Sequence, residues 1–452
     1  SAEFQSGRLA DRPKLYPQDL DLNTRTCVAH GMNALNYYMF VGGENYEDIG
    51  IFGKSHEWQA PIASDGQRRP NFAPAEHLGR LFQTIGPRLL DAKKTVKTFV
   101  GFNSDDYLTD AVASRDMSMI GEITGKREHF AFDGVLRLLV AADVPFEAVN
   151  LSKPASLSPK EYPSLWVFSS RYMDEALQKR LLDYLRAGGK LILYPEIPVR
   201  DLNDRPCRLL ADGLQLGEWQ VVSGNNTLDV LGLSSVFVGQ RLVFSDHKGK
   251  IIASCSKDGS EEVAAFKKPI GNDGEILVLG AALNHNYRYQ LEVIERVCRE
   301  IGIVKEWTSD NPELMLVERK RKDDEAFLFV HNYDEIEQTG IIYRNDSPEF
   351  NGKPVTLPPR SGSVFLKNYS LTKQVSVVYS TVELTKTEIS EDFIELSLVP
   401  IVKNGSIRIL VTGDWETNIE TNVTNGDIFV NQIDRPMTLK LERIHETVKS
   451  PE

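Results

Sequence analysis

The chain contains little cysteine, and no two cysteines have the spacing of a metal site. Its four cysteines are Cys27, Cys207, Cys255 and Cys298, and none belongs to a Cys-x-x-Cys pair. Zinc sites and disulfide frameworks need closely or regularly spaced cysteines. We therefore expect free thiols, no metal site and no cofactor.

Long apolar runs and clusters of basic residues are also missing. No apolar stretch reaches the roughly 18 to 20 residues of a membrane helix, and the first residues lack the basic and apolar segments of a secretion signal. The net charge is −12, without a block of lysine and arginine, whereas binding to a phosphate backbone depends on a cationic surface. These absences argue against membrane insertion and nucleic-acid binding. They favour a cytoplasmic protein with a neutral or small substrate.

The length and composition are those of a multidomain globular protein. A chain of 452 residues with a hydrophobic share of 41% suggests about three domains. In residues 1–95, a helix is predicted at 22–32 and a buried strand at 34–40. Pro74 opens a second helix, whose apolar side chains share one face: Leu78, Leu81, Phe82, Ile85 and Leu89.

Residues 96–305 alternate between strand and helix patterns. Strands are predicted at 96–102, 146–151, 165–169, 191–194 and 275–280, and helices at 129–142, 174–187 and 287–301. This order predicts a parallel, doubly wound sheet. Short alternating segments within residues 208–270 predict a β-rich insertion.

Residues 306–452 lose the helical pattern. Short strands separated by polar turns are predicted at 314–318, 326–330, 375–379, 393–398, 406–411 and 427–430. Their spacing predicts an antiparallel β-sandwich. The fold class is therefore multidomain, α/β plus β.

Two motifs in the first segment resemble those of the family 35 glycoside hydrolases, the β-galactosidases. The chain opens with Glu3-Phe4-Gln5-Ser6-Gly7, and Asn36-Tyr37-Tyr38-Met39-Phe40-Val41-Gly42-Gly43-Glu44-Asn45 follows about thirty residues later. In that family the first motif ends a barrel strand with the nucleophilic carboxylate, and the second forms the last barrel strand. The resemblance implies that residues 1–95 are the C-terminal part of a (β/α)₈ TIM barrel, arranged with the following domains as in family 42 β-galactosidases.

The same resemblance implies the site residues. Glu3 would be the catalytic nucleophile of a retaining enzyme, and Tyr38, Trp58 and Asn45 would bind a β-galactoside or related oligosaccharide. Trp58 stands where the family has a tyrosine, in His56-Glu57-Trp58-Gln59-Ala60-Pro61, and Glu44 stands where threonine is usual. The tryptophan offers a larger apolar platform but no phenolic hydroxyl, which leaves the choice of sugar open.

The second carboxylate of such an enzyme is missing from this sequence. In the family the acid/base glutamate follows an asparagine, and no Asn-Glu dipeptide occurs in the 452 residues. We therefore expect an N-terminal barrel segment, attached or separate, as a partner that supplies the proton donor. The alternative is a non-catalytic carbohydrate-binding or assembly subunit.

The middle domain resembles the flavodoxin-like, class I glutamine amidotransferase-like domain found behind the barrel in such enzymes. An active amidotransferase needs a cysteine on a strand-to-helix elbow, but Tyr194 is followed by Pro195 and Glu196. We interpret His285, near the end of a late strand, as structural. The domain is expected to pack and to support a homo-oligomer, without chemistry of its own.

Overall fold

The computed structural model describes residues 1–7, 14–49, 53–108, 113–153, 157–419, 423–424 and 426–444. The chain divides into two compact units. Ser1–Thr95 and Glu306–Glu452 form the first unit, and Val96–Lys305 form the second. The chain passes from the first unit to the second after Thr95 and returns after Lys305. The separation of the first unit into a barrel end and a sandwich stays a prediction.

The first segment of unit 1 contains two helices and two small strand pairs. Phe4–Gln5 pairs in parallel with Tyr37–Tyr38, and Gly43–Glu44 pairs antiparallel with Ser55–His56. The helices are Pro17–Ala29 and Phe72–Leu89. The second helix buries Leu78, Leu81, Ile85 and Leu89, the face predicted from its periodicity, and Phe82 is partly buried.

Two predicted elements of this segment differ from the structure. The helix predicted at residues 22–32 starts earlier, because Pro17 occupies its first turn and Asp19 accepts a hydrogen bond from the backbone N–H of Tyr16, at 2.9 Å. The strand predicted at residues 34–40 shrinks to Tyr37–Tyr38, because its described neighbour in the sheet is only two residues long.

The rest of unit 1 is antiparallel β-structure. One sheet has eight strands, and its outermost member, Lys93–Lys94, comes from the first segment. The other seven are, in sheet order, Leu314–Lys320, Ala326–Asn332, Ser361–Ser370, Val375–Ser380, Gly405–Val411, Asp427–Ile433 and Val423–Thr424. A second sheet orders Glu383–Ile389, Phe393–Val399, Met437–Arg443 and Trp415–Thr417. Shorter strands complete the unit: Trp307–Ser309, Gln338–Gly340, Ile342–Arg344, Ser347–Pro348 and Val355–Leu357.

Unit 2 is built on one nine-stranded sheet. Five strands are parallel, in the spatial order Phe146–Asn150, Thr98–Phe102, Ser164–Ser169, Lys190–Pro195 and Gly274–Leu279. Numbered along the chain, this order is second, first, third, fourth, fifth, which is the flavodoxin-like arrangement. The predicted insertion continues the same sheet as four antiparallel strands: Trp219–Val230, Leu233–Phe244, Lys250–Lys257 and Ser260–Ile270.

The three helices predicted for unit 2 are present, one of them with a change of type, and two further helices, Met117–Lys126 and Leu209–Gly213, were not predicted. The α-helices are Met117–Lys126, Arg137–Ala141, Glu175–Arg186, Leu209–Gly213 and Tyr289–Glu300, with short 3₁₀ turns at Ser104–Tyr107 and Ser114–Asp116. Between the first two, Arg127–Leu136 is a π-helix rather than an α-helix, with Gly134 outside helical φ/ψ values. Among the described helices of both units, none is long and apolar enough to cross a bilayer.

Candidate functional site

Glu3 lies directly before the short parallel strand pair of unit 1. The main chain around it is held by Asn36: the N–H of Phe4 donates to the Asn36 carbonyl at 2.8 Å, and the Asn36 side-chain amide donates to the Ala2 carbonyl at 3.1 Å. The Asn36 N–H also donates to the carbonyl of Ser1, at 3.0 Å. The side chain of Glu3 itself is exposed.

The strand pair has two different faces. Phe4 is buried beside Leu20 and Ala75, which lie on the helices, and its ring meets that of Tyr37 edge to face. Because side chains alternate along a strand, Glu3 and Gln5 point to the opposite face. Gln5 pairs with Tyr38, which is 47% exposed. Glu3 and Tyr38 therefore share the face of the strand pair that points away from the helices.

Trp58 extends this face. Its ring lies 5.5 Å from that of Tyr38, centroid to centroid, and stacks on His56 at 5.4 Å with an interplanar angle of 12°. The backbone of Trp58 and Gln59 has positive φ values of 38° and 52°, which non-glycine residues seldom adopt. Three aromatic rings thus form a continuous surface beside the strand that follows Glu3.

Gly7 explains why this loop can approach so closely. A Cβ atom at this position would come within 1.7 Å of the Trp58 carbonyl oxygen, so only glycine fits. The preceding residue is also fixed: the Ser6 hydroxyl donates to the Met39 carbonyl, and the buried Asn71 side chain donates to the Ser6 carbonyl at 3.0 Å. The Phe-Gln-Ser-Gly motif therefore serves as a close contact between the strand and the Trp58 loop.

An ion pair that sequence reasoning missed braces the same loop. Glu57 pairs with Arg69 and accepts a hydrogen bond from the Ser64 N–H at 3.3 Å. Hydrogen bonding from Ser64, followed by the charge of Arg69, lowers the pKa of the Glu57 carboxyl. A Cβ on Gly42 would meet the Glu57 carboxylate at 2.7 Å, which accounts for the first glycine of the Gly-Gly motif.

The hydrogen bonds of Asn45 that the structure describes lie within its own loop, and its predicted contact with a sugar stays a prediction. Its side-chain amide donates to the Gly53 carbonyl at 2.5 Å, and its N–H donates to the Lys54 carbonyl at 2.8 Å. These bonds hold its own loop together. The structure therefore brings Glu3, Tyr38 and Trp58 to one surface, whereas the polar groups of Asn45 are occupied locally.

A second surface of this segment is an open apolar groove. It has a volume of about 480 Å³ and lies between the ends of the two helices, beside residues 32–35. Val28, Met32, Leu35, Phe82, Leu89 and Leu90 supply its apolar lining. Arg319 at its edge donates to the Val28 carbonyl at 2.9 Å and to the Ala92 carbonyl at 2.8 Å. A groove of this size and apolar lining can take a ligand or the apolar surface of a partner.

The sulfur and carboxylate groups of the described residues do not form a metal centre. No cluster of three or more histidine, cysteine, aspartate or glutamate side chains suits a metal ion in that part of the chain. All four cysteines are free, and burial raises the pKa of Cys298 to about 12. Such a thiol is inert as a nucleophile at neutral pH.

The elbow of unit 2 carries a carboxylate where an amidotransferase would have its thiol. Glu196 is buried, and its carboxylate accepts hydrogen bonds from Lys126 at 2.5 Å and Gln240 at 2.6 Å. Cys207 instead accepts a bond from Gln178 at 3.4 Å. His285 contacts the carbonyl of Asp133 through its Nδ1 atom. These contacts are those of packed structural groups.

Comparison with known proteins finds one matching family model and curated relatives of two kinds. The family model "GLMA-like, second domain" matches residues 114–251. A β-1,2-glucosyltransferase from Ignavibacterium album is 24% identical over 81% of this chain and 52% of its own length. An exo-β-D-glucosaminidase from Thermococcus kodakarensis is 26% identical over 67% of this chain and 38% of its own length. The chain thus spans about half or less of the curated relatives that it matches.

Two solved structures with a similar architecture are β-galactosidases. Gan42B, a GH42 β-galactosidase, has a TM-score of 0.61 at 13% identity, covering 81% of this chain and 53% of its own. The β-galactosidase from Rahnella sp. R3 has a TM-score of 0.61 at 14% identity, with 81% and 54% covered. The chain therefore has a multidomain, mostly β architecture like that of GH42 β-galactosidases. Its motif resemblance to family 35 stays an interpretation.

Proposed function

We propose that this chain forms the rear part of a retaining β-glycoside hydrolase in which Glu3 is the nucleophile. One observation carries the proposal: Glu3 lies directly before a parallel strand pair, on the same face as Tyr38, beside Trp58 and away from the helices. The catalytic carboxylates of a barrel enzyme likewise lie on the side of the strands that is opposite the helix layer.

The chemistry assigns one role to this chain and one to another segment. The Glu3 carboxylate would attack the anomeric carbon and form a glycosyl ester, while an acid elsewhere protonates the departing oxygen. The conjugate base of that acid would then deprotonate a water molecule, which attacks the ester, releases the sugar and restores Glu3. The two carboxyl groups of a retaining enzyme stand about 5 to 5.5 Å apart. We propose that an N-terminal barrel segment supplies the second group.

The exposed surfaces of the first segment support such a partner. The strand pair is two residues long on each side, Tyr38 is half exposed, and the apolar groove has a volume of about 480 Å³. We propose that the barrel segment extends the strand pair and covers the groove. Unit 2 would then be an amidotransferase-like scaffold without a thiol nucleophile, used for packing and homo-oligomer formation.

The proposed substrate is a β-galactoside, and a β-D-glucosaminide is a specific second candidate. Within residues 36–69 five acidic residues, Glu44, Glu47, Asp48, Glu57 and Asp65, outnumber three basic ones, although Glu57 is paired with Arg69. A negative loop beside Trp58 would attract a protonated amino sugar. Two of the curated relatives are exo-β-D-glucosaminidases. Comparing aryl β-galactoside and aryl β-glucosaminide turnover decides between the two substrates.

The test of the nucleophile is Glu3→Gln in the complemented protein. Glutamine keeps the shape of the side chain but cannot form the glycosyl ester, so we expect turnover to fall by roughly four orders of magnitude, or about 5 kcal/mol of transition-state stabilisation. Substrate binding should change little. Glu76→Gln, an exposed carboxylate on the helix Phe72–Leu89, is the matched control and should keep normal turnover.

A second variant separates the nucleophile from a general electrostatic role. In Glu3→Gly, added azide should enter the space and convert a β-glycoside into the α-glycosyl azide. Near-normal turnover in Glu3→Gln, with no azide product in Glu3→Gly, would contradict the proposal. It would favour the alternative, a non-catalytic carbohydrate-binding or assembly subunit.

A further inference from the structure

Unit 2 has a small cavity at the point where its parallel sheet changes direction. The first strand, Thr98–Phe102, lies between the second strand, Phe146–Asn150, and the third, Ser164–Ser169. The crossovers on its two sides therefore run in opposite directions. In open α/β sheets ligands bind at this switch point, outside the carboxyl ends of the strands.

The cavity lies at the carboxyl ends of three neighbouring strands. It has a volume of about 40 Å³, and its strand residues include Phe102, Trp166, Phe168 and Tyr194. A single water needs roughly 10 to 15 Å³ measured this way. The space therefore suits a molecule of a few heavy atoms, or the end of a larger one.

Trp166 gives the cavity one unused polar group. Its side chain is only 1% exposed, and its indole N–H has no hydrogen-bond acceptor among the described residues. Tyr194, in the same wall, uses its hydroxyl oxygen to accept from the Leu283 N–H at 3.0 Å. A buried donor without an acceptor is destabilising, so an acceptor entering here would be favoured.

The opposite wall is the π-helix. Arg127, Ala131, Val135 and Leu136 of this helix line the cavity. π-Helical turns are rare and frequently occur at functional sites. This one widens the backbone where an α-helix would bring its side chains closer to the strand ends.

The mouth of the cavity is polar but close to neutral. The Arg127 guanidinium lies 4.4 Å from the Tyr107 ring centroid, pairs with Glu128 at 2.7 Å and donates to the Asp106 carbonyl at 2.6 Å. Burial, with a contribution from Asp105, raises the pKa of the Asp106 carboxyl to about 6. Because two carboxylates, those of Glu128 and Asp106, outnumber the one arginine, the surroundings do not favour an anionic ligand.

We propose that this cavity binds a small neutral molecule, or the neutral end of a larger one, that carries a carbonyl or hydroxyl oxygen as acceptor for the Trp166 indole N–H. The apolar part of the ligand packs on the aromatic rings of the strand ends and on the π-helix. The site is independent of Glu3 and of the glycosidase proposal.

The test uses the whole chain labelled with ¹⁵N-tryptophan and two small probes, acetone and xenon. Acetone carries a carbonyl acceptor, and xenon is an apolar atom that enters dry cavities. We expect acetone to shift the Trp166 indole N–H resonance saturably to lower field. Xenon should compete with acetone and weaken its apparent affinity. The resonance is assigned from its loss in Trp166→Phe.

Two variants test whether acetone binds in this cavity through the Trp166 indole N–H. Trp166→Phe keeps the ring but removes the donor, so affinity for acetone should fall about tenfold while xenon binding remains. Ala131→Leu fills the cavity from the π-helix and should abolish both, whereas Ala176→Leu, at an exposed helix position, should change neither. An indole resonance unaffected by acetone, or equal binding in Ala131→Leu, would overturn the proposal. If Trp166→Phe does not fold, the proposal is still tested by whether acetone shifts an indole N–H resonance in the wild-type chain and whether Ala131→Leu abolishes that shift.

Discussion

Apolar packing holds the helices of both units against their strands, but unit 1 adds a buried ion-pair network. In unit 2, Val293, Ile294 and Val297 of the last helix lie in one apolar cluster with buried strand residues such as Ile192 and Leu277. In unit 1, Arg25 of the helix Pro17–Ala29 is fully buried. It pairs with Asp21 at 2.7 Å and with Glu383 of the strand Glu383–Ile389. An apolar contact tolerates small rotations, but a hydrogen-bonded ion pair does not.

The ionic contact in unit 1 is a network. The Glu383 carboxylate also accepts from His77 at 2.6 Å and from the Val364 N–H at 2.9 Å. Burial would raise the pKa of Glu383, but Arg25 and His77 outweigh it and lower that pKa to about 2. Both helices of the first segment are thus bound to one carboxylate, that of Glu383. We infer that this network orients the scaffold of Glu3, whose own strand pair is too short to do so.

The largest expected effect comes from breaking this network. Glu383→Gln leaves Arg25 buried without its main counter-charge, which costs about 3 to 5 kcal/mol of unfolding free energy. The loss should appear in unit 1 only, measured by urea denaturation with pulsed hydrogen exchange and mass spectrometry of each unit. Glu388→Gln, on the same strand but exposed, should cost almost nothing. A cost below 1 kcal/mol in Glu383→Gln would show that packing alone holds the helices.

The second prediction concerns acid stability. Burial, together with the charges of Arg25 and His30, lowers the pKa of His331 to about 3, against about 6.5 in an unfolded chain. Between these values the unfolded chain binds a proton that the folded unit does not, so stability falls as pH falls from 6.5 to 3. The loss at pH 3 is about 4 kcal/mol. Glu383 acts in the same direction below its unfolded pKa of about 4.5.

His331→Phe tests this origin directly. Both ring nitrogens lack a hydrogen-bond partner among the described residues, so phenylalanine loses no bond and removes the titration. The variant should reduce the loss of unfolding free energy of unit 1 between pH 6.5 and pH 3. His129→Gln, at an exposed position in unit 2, should leave this pH dependence unchanged. An unaltered acid limb in His331→Phe would assign the pH dependence to other groups.

A smaller effect is expected from a helix cap in unit 2. The Asp174 carboxylate accepts from the N–H groups of Ala176 at 3.0 Å and Leu177 at 3.3 Å. Asp174→Ala should destabilise unit 2 by about 1 kcal/mol at pH 7 and leave unit 1 unchanged. Asp183→Ala, at an exposed position late in the same helix, is the control. An equal loss in both variants would show that general helix charge, and not the cap, is responsible.

The sequence was most informative where one periodic pattern determined an element. The buried face of the helix Phe72–Leu89, the cap at Asp174 and most strands of unit 2 could be predicted from local pattern. The strands Ser361–Ser370, Glu383–Ile389 and Met437–Arg443 were missed. These strands are determined by contacts with residues distant in sequence. Glu383, for example, pairs with Arg25, which lies 358 positions earlier.

The candidate site shows the same limit. The motif order pointed to Glu3, Tyr38 and Trp58, and strand alternation explains why the first two share a face. Sequence reasoning missed Asn71, Arg69 and the contact between Gly7 and Trp58, because each joins loops whose approach no local pattern records. The Ser-Gly after the strand was the available signal, since a glycine there indicates a close backbone approach.

The most direct test of the central claim is to trap the sugar on the nucleophile. The complemented protein would be treated with a 2-deoxy-2-fluoro-β-galactosyl fluoride and with the matching glucosyl compound, then digested and sequenced by mass spectrometry. A retaining enzyme accumulates the glycosyl ester, because the 2-fluorine slows both formation and hydrolysis of the ester, whereas the good anomeric leaving group restores only the rate of formation. The account predicts one added fluorosugar on Glu3, absent in Glu3→Gln. A label on another carboxylate, while Glu3 stays unmodified, would contradict it.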